Sequence, residues 1–220
     1  MAKEIKNENV EAVVEAVSKT EKFFNENGKV LGIAAAAVVV AAAVIFCVNK
    51  FVFQPAQAEA QGQMAVAEEI FRAGDYELAL NGDGNVLGFA QIIDEYGAKA
   101  GAAATFYAGV CELQLGNWDL ALDYLKAYNG KDAILKARAI ACMGDAYVGL
   151  EEYAKALGCY EKAAGVIDNV FAAGYLLKAG VVAEKLGQNE KALGFYTQIK
   201  DQYPNSVEGY DVDKYIGRLQ

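Results

Sequence analysis

The chain has 220 residues, with 20 Lys and Arg against 29 Asp and Glu and no His, for a net charge of -9. Without His, the Ser-His-Asp and Cys-His catalytic arrangements, the usual zinc sites and the usual pH switch are excluded. Residues 1–50 carry six Lys against six Glu, so the whole negative charge lies beyond them; an acidic domain repels nucleic acid and anionic lipid headgroups, and no nucleic-acid partner is expected.

Residues 1–29 form a short charged tail. Val10, Val13, Val14, Val17 and Phe24 recur near helical spacing, with Glu11, Glu15, Lys19 and Glu21 on the other faces. The spacing predicts a short amphipathic helix. It either docks a cytosolic partner, lies on the inner leaflet, or frays into the segment that follows.

Residues 30–48 read VLGIAAAAVVVAAAVIFCV, with no charge, no Pro and no strong hydrogen-bonding side chain. As a helix this run spans roughly 28 Å, about the hydrocarbon thickness of a bilayer. A transmembrane helix is expected rather than a buried core helix. Ala56-Gln57-Ala58 has the A-x-A form of a signal-peptidase site, but the run is longer than the h-region of about 7–15 residues that such signals use. An uncleaved anchor is therefore the expectation. Phe46 before Cys47 argues against lipidation there. Lys3, Lys6, Lys19, Lys22 and Lys29 precede the span, while Lys50 alone follows it before Arg72. This asymmetry predicts a cytoplasmic N-terminus and a C-terminal domain on the far side of the membrane.

Residues 49–58 read as a linker passing through Pro55 and a run of Ala and Gln, with a helix restarting near Ala58. Residues 59–220 form one domain. Two Pro and 22 Gly in a chain rich in Ala, Leu, Tyr and Glu indicate helices joined by glycine turns, an all-α fold. Four segments align on such turns. Gly74, Gly116 and Gly187 mark three of them, and Ala79-Leu80, Ala121-Leu122 and Ala192-Leu193 follow five residues later. In the remaining copy Glu151 replaces the glycine, but Ala156-Leu157 keeps its place. A second glycine recurs at Gly109, Gly144 and Gly180, at intervals of 35 and 36 residues. The first unit is stretched at residues 81–88, read as a flexible insertion. Asn81, Asp83 and Asn85 alternate as in a calcium loop, yet Val86 and Ile92 stand where such a loop needs Gly and Glu, so no metal site is expected. Val212, Tyr215, Ile216 and Leu219 predict a capping helix at the end of the stack. Cys111, Cys142 and Cys159 read as small buried residues. Cys142 and Cys159 occupy mirrored positions on the two helices of one unit, which leaves both free thiols and a disulfide open.

This pattern resembles the tetratricopeptide repeat, a helix-turn-helix unit. The resemblance rests on the small Gly109, Gly144, Gly180, Ala121, Ala156 and Ala192, the aromatic Tyr76, Trp118 and Tyr153 after the turn, and the bulky Tyr160 and Tyr196. Glu112, Glu151 and Asn189 depart from it. The implied architecture is a solenoid of about four helical hairpins plus a C-terminal capping helix, behind one transmembrane helix. The first helix of each unit would line a concave face, and the resemblance puts Phe106, Val110, Leu113, Arg138, Asp145, Leu177, Val181 and Glu184 there as candidate partner-binding residues. The Asn-based carboxylate clamp of some members is absent, since Val110, Asp145 and Val181 stand at its positions. Mixed apolar and charged residues would suit an extended or amphipathic protein segment. No catalytic constellation is present, so a non-enzymatic protein without cofactor is expected. The topology resembles single-pass inner-membrane proteins with a periplasmic tetratricopeptide domain, among them ancillary subunits of the Sec translocon. This implies an adaptor in a translocon or chaperone network, with translocon components, chaperones or exported chains as partners. The alternative is a scaffold module of an outer-membrane, pilus or motility assembly.

Overall fold

A computed structural model describes the backbone from Ala2 to Gln220 and the side chains of residues 18, 21, 22 and 25–220. The expected stripe of Val10, Val13, Val14, Val17 and Phe24 lies outside the described side chains. The chain divides into two units, Met1–Pro55 and Ala56–Gln220.

The first unit holds α1 (Ala2–Val48) and a π-helical turn, Asn49–Phe53. No residue from Val30 to Val48 is buried, and Ile33 and Ile45 are 72% and 69% exposed. A core helix of a soluble domain would pack such side chains away from water. The helical stretch Asn25–Arg72 is long and apolar enough to cross a membrane. At 49–58, where a linker is expected, the backbone remains helical. The Gln54 N–H donates to the Asn49 carbonyl, five residues back. This wider turn opens the hydrogen-bond ladder just ahead of Pro55, which has no N–H and whose ring would strike the carbonyl four residues back in a regular helix. Lys50 holds its ammonium 5.8 and 5.9 Å from the ring centres of Phe46 and Phe51.

The second unit runs through α2 (Gln54–Arg72), α3 (Tyr76–Asn81), α4 (Phe89–Tyr96), a 3-10 turn (Gly97–Ala100), α5 (Ala102–Gln114), α6 (Trp118–Ala127), α7 (Ala133–Gly149), α8 (Tyr153–Val166), α9 (Val170–Lys185), α10 (Asn189–Gln202) and α11 (Val207–Gly217). There is no strand among the described residues. The pairs α5/α6, α7/α8 and α9/α10 are helical hairpins, each packed on the next, and α11 closes the stack against α10 and α9.

Large side chains opposite missing ones set the spacing within each hairpin. A Cβ on Gly109 would sit 2.8 Å from Leu125, and one on Gly144 would sit 2.6 Å from the Tyr160 ring. A Cβ on Gly180 would collide with the Tyr196 ring. Tyr160 and Tyr196 are therefore buried against bare backbone, and Ala121, Ala156 and Ala192 beside them are fully buried. Each buried ring or aliphatic side chain contributes roughly 1.5–3 kcal/mol of transfer free energy.

The four turns share one closure. The residue three places past each helix end reaches back five residues: Asp75 to Ile70, Asn117 to Glu112, Glu152 to Tyr147 and Gln188 to Ala183. This bond needs a left-handed residue between, which Gly74, Gly116 and Gly187 supply with φ of 86°, 81° and 72°. Glu151 adopts the same conformation, φ 59°, with a full side chain. Two other departures from the repeat also have local reasons. Glu112, 7% exposed, is held by the Asn117 amide, whose Nδ2 donates to its Oε2 at 2.7 Å. Residues 82–88 form a closed loop rather than an open insertion. Asp83 Oδ1 accepts from the N–H groups of Asn85 (2.9 Å) and Val86 (3.1 Å), and Gly82 and Gly88 approach backbone too closely for any Cβ. The loop returns the chain into α4, whose Phe89 and Ile92 are fully buried with Met64, Ala67 and Leu80. Helices α3 and α4 together thus do the work of one second helix in the first unit.

Candidate functional site

First helices face one side of the stack, and three contiguous clefts run along it. The middle cleft, of about 350 Å³, lies where α5, α7 and α9 converge. Its walls are Val110 and Leu113 from α5, Ile134, Arg138 and Asp145 from α7, and Phe171, Tyr175 and Lys178 from α9. Through Leu113, Gln114 and Asp145 it joins a cleft of about 370 Å³ that ends at Trp118 and Gly149. Through Phe171, Tyr175 and Lys178 it joins one of about 530 Å³ bounded by Leu177 and the start of α11.

The sequence places these groups by helical period. Arg138 and Asp145 are two turns apart on α7, and Phe171, Tyr175 and Lys178 follow at i, i+4 and i+7 on α9. Caps fix where both helices start: Asp132 accepts from the Leu135 N–H (2.7 Å) and Asn169 from the Phe171 N–H (2.9 Å). The polar groups in the middle cleft form one network. Lys178 Nζ donates to both Asp145 oxygens, at 2.7 and 2.8 Å, and Tyr160 donates its hydroxyl to Asp145 Oδ1 at 2.7 Å. Burial, and then the Asp145 carboxylate, push the Tyr160 phenol far above its ordinary value. The Arg138 guanidinium stands 5.8 Å from the Phe106 ring centre and has no carboxylate partner among the described residues. Phe171 and Ile134 are 55% and 46% exposed, a large apolar surface for a groove wall. On the floor, burial raises the Cys142 thiol to about 11, with the Asp145 carboxylate adding and the Lys178 and Arg138 charges opposing. It is a neutral thiol near pH 7.

Of the candidates from sequence, Val110, Leu113, Arg138 and Asp145 meet in the middle cleft, and Leu177 lines the neighbouring one. Phe106 sits beneath, 1% exposed, as core packing for Arg138. Val181 is 45% exposed and lines none of the three clefts. Glu184 lies at the end of the stack. It accepts hydrogen bonds from Tyr196 and from Arg218 of the C-terminal turn (2.5 Å to Arg218). Burial alone would raise its carboxyl, but the two hydrogen bonds and the Arg218 charge hold it below the ordinary value. Sequence reasoning missed Ile134, Phe171, Tyr175 and Lys178. Helix α9 is apolar nearly all round, so its sequence carries no spacing signal that singles out this face.

The four cysteines are free. Cys142 faces the concave clefts, whereas Cys159 lines a cleft on the opposite side of the hairpin, so the two thiols do not face one another.

The fold defines a tetratricopeptide-type solenoid, a class of protein-interaction module. Residues 89–133 and 175–206 match family models of the tetratricopeptide repeat. The crystal structure of MamA protein is similar to 73% of this chain and 80% of its own, with a TM-score of 0.57 at 19% identity, a likeness of fold. The curated proteins contain no significant match.

Proposed function

We propose that this protein is a membrane-anchored adaptor whose concave clefts hold a segment of another protein. The observation that carries this reading is the continuity of the three clefts. They make one apolar-walled channel along the first helices, with Phe171 and Ile134 exposed in it and the Arg138 charge unmatched by a carboxylate. Such a channel suits an extended or helical segment that presents apolar side chains and at least one carboxylate.

The anchor is residues 30–48, behind a cytoplasmic tail (1–29) and ahead of a short connecting segment (49–58). The repeat domain, 59–220, would lie on the periplasmic side of the inner membrane, where the partner is a translocon component, a chaperone or an exported chain. A reporter fused after Gln220 tests the topology: alkaline phosphatase active there and a cytosolic fluorescent reporter dark is the expected pair. In-cell cross-linking from Phe171 tests the partner. Recovery of translocon or chaperone adducts is expected. Stoichiometric co-purification with one outer-membrane, pilus or motility component would instead make the protein a fixed scaffold module, and recovery of no translocon or chaperone adduct would remove the translocon assignment.

A further inference from the structure

Most of the described lysines and arginines of the second unit are engaged. They pair with carboxylates, as Arg72, Lys155, Lys178, Lys191, Lys200, Lys214 and Arg218 do, or lie over rings, as Arg138 and Lys185 do. Among the described residues, Lys126, Lys131, Lys136 and Lys162 have neither an ion pair nor a ring contact. Three of these four, Lys126, Lys136 and Lys162, rim a single cleft of about 300 Å³ on the side of the hairpins away from the concave channel. Its floor is apolar, made by Leu125, Ile140 and Met143. Three such lysines over an apolar floor, in a chain of net charge -9, make a local excess of positive charge at the cleft. Screening over about 8–10 Å lets such a cluster act independently of distant acidic residues.

We propose that this cleft binds a single-tailed organic anion, a carboxylate or similar group joined to an alkyl chain, with the head among the lysines and the tail on the floor. A peptide is the poorer occupant. It would bring rows of backbone N–H and C=O groups into a cleft whose lining, apart from its lysines and the Tyr128 hydroxyl, is apolar, with no Asn, Gln, Ser or Thr to pair them. An alkyl chain brings no such groups. Gly158 lines the cleft, and a Cβ there would meet nothing within 4 Å, so bulk can be introduced at that position. Cys159 lines the same space, half-buried, and feels the charges of Lys162 and Lys126. It is a reporter already in place.

The test uses the full-length protein in nanodiscs of zwitterionic lipid, with iodoacetamide alkylation at each cysteine followed by mass spectrometry as decanoate is added. Alkylation of Cys159 is expected to slow about tenfold when decanoate stands at about ten times its Kd, since the unoccupied fraction falls as 1/(1 + [L]/Kd). Decanol should protect far less. Lys126→Gln with Lys162→Gln should remove the protection. Gly158→Leu, whose Cβ enters open space, adds bulk to the cleft and should abolish the decanoate response, while buried Cys111 and Cys142 remain unlabelled as a check that the fold is intact. Equal protection by decanol, or protection that survives the lysine replacements, would overturn the proposal. So would protection by an acidic peptide and none by decanoate. Protection by phosphatidylglycerol in the disc but not by decanoate would assign the site to a bilayer headgroup and equally overturn it.

Discussion

At the scale of single residues, two positions carry most of the argument. Glu151 pays a backbone penalty that Gly74, Gly116 and Gly187 avoid at the same turn. Glu151→Gly should stabilise the protein by about 0.5–1 kcal/mol, the left-handed strain relieved less the extra freedom of glycine in the unfolded chain. A rise in the denaturation midpoint at constant slope would show it. Gly144 has the opposite logic. Gly144→Ala puts a Cβ 2.6 Å from the Tyr160 ring and should cost about 1–3 kcal/mol by the same measurement. Because Tyr160 also supports Asp145, the cost extends to the groove. These glycines were legible in the sequence because close helix contact demands a missing side chain at a fixed interval. The groove face of α9 was not. That helix, VFAAGYLLKAGVVAEK, is apolar nearly all round, so no periodicity fixes its rotation. Tertiary contacts do, through Gly180 against Tyr196 and Gly174 against Glu208. The result is that Phe171, Tyr175 and Lys178 face the middle cleft, while Val181 does not.

At the scale of elements, the stretched first unit and the capping helix show what sequence spacing conveys and what it omits. An excess of residues at 81–88 was visible, but the closure of that loop depends on backbone approaches at Gly82 and Gly88 that no residue pattern announces. The capping helix was visible in Val212, Tyr215, Ile216 and Leu219, whereas its clasp was not. Arg218 crosses from the end of α11 to Glu184 on α9, and Tyr215 packs its ring 5.2 Å from that of Tyr196. The folded value of the Glu184 carboxyl lies below its ordinary 4.5. Between those two values the unfolded chain binds more protons than the folded one, so the stabilisation is complete above 4.5 and is lost as pH falls through the folded value. Amide hydrogen exchange in α11 should therefore quicken, relative to α7, below about pH 4.5. Arg218→Gln should weaken this pH response and raise exchange in α11 at neutral pH. An unchanged response in that variant would mean that another carboxylate controls the cap.

At the scale of the whole molecule, an exposed apolar helix and a domain of stacked hairpins make sense together as a tether and a binding surface. The repeat architecture supplies the channel. In the proposed adaptor, its particular walls, Ile134 and Phe171 beside Arg138 and the Lys178–Asp145 pair, would supply the selectivity. Phe171→Ala should weaken partner binding by about 2 kcal/mol, roughly thirtyfold, as loss of a central aromatic anchor does. Lys178→Glu would place a second carboxylate beside Asp145 and disfavour an acidic segment. The most direct measurement is site-specific photo-cross-linking in living cells, with the probe placed in turn at Phe171, at Ile134, and at Leu120, exposed on α6 away from the three clefts. The adaptor reading predicts the same protein adduct from Phe171 and Ile134, diminished by Lys178→Glu, and none from Leu120. Adducts of equal yield from all three positions, or none from Phe171 and Ile134, would contradict it.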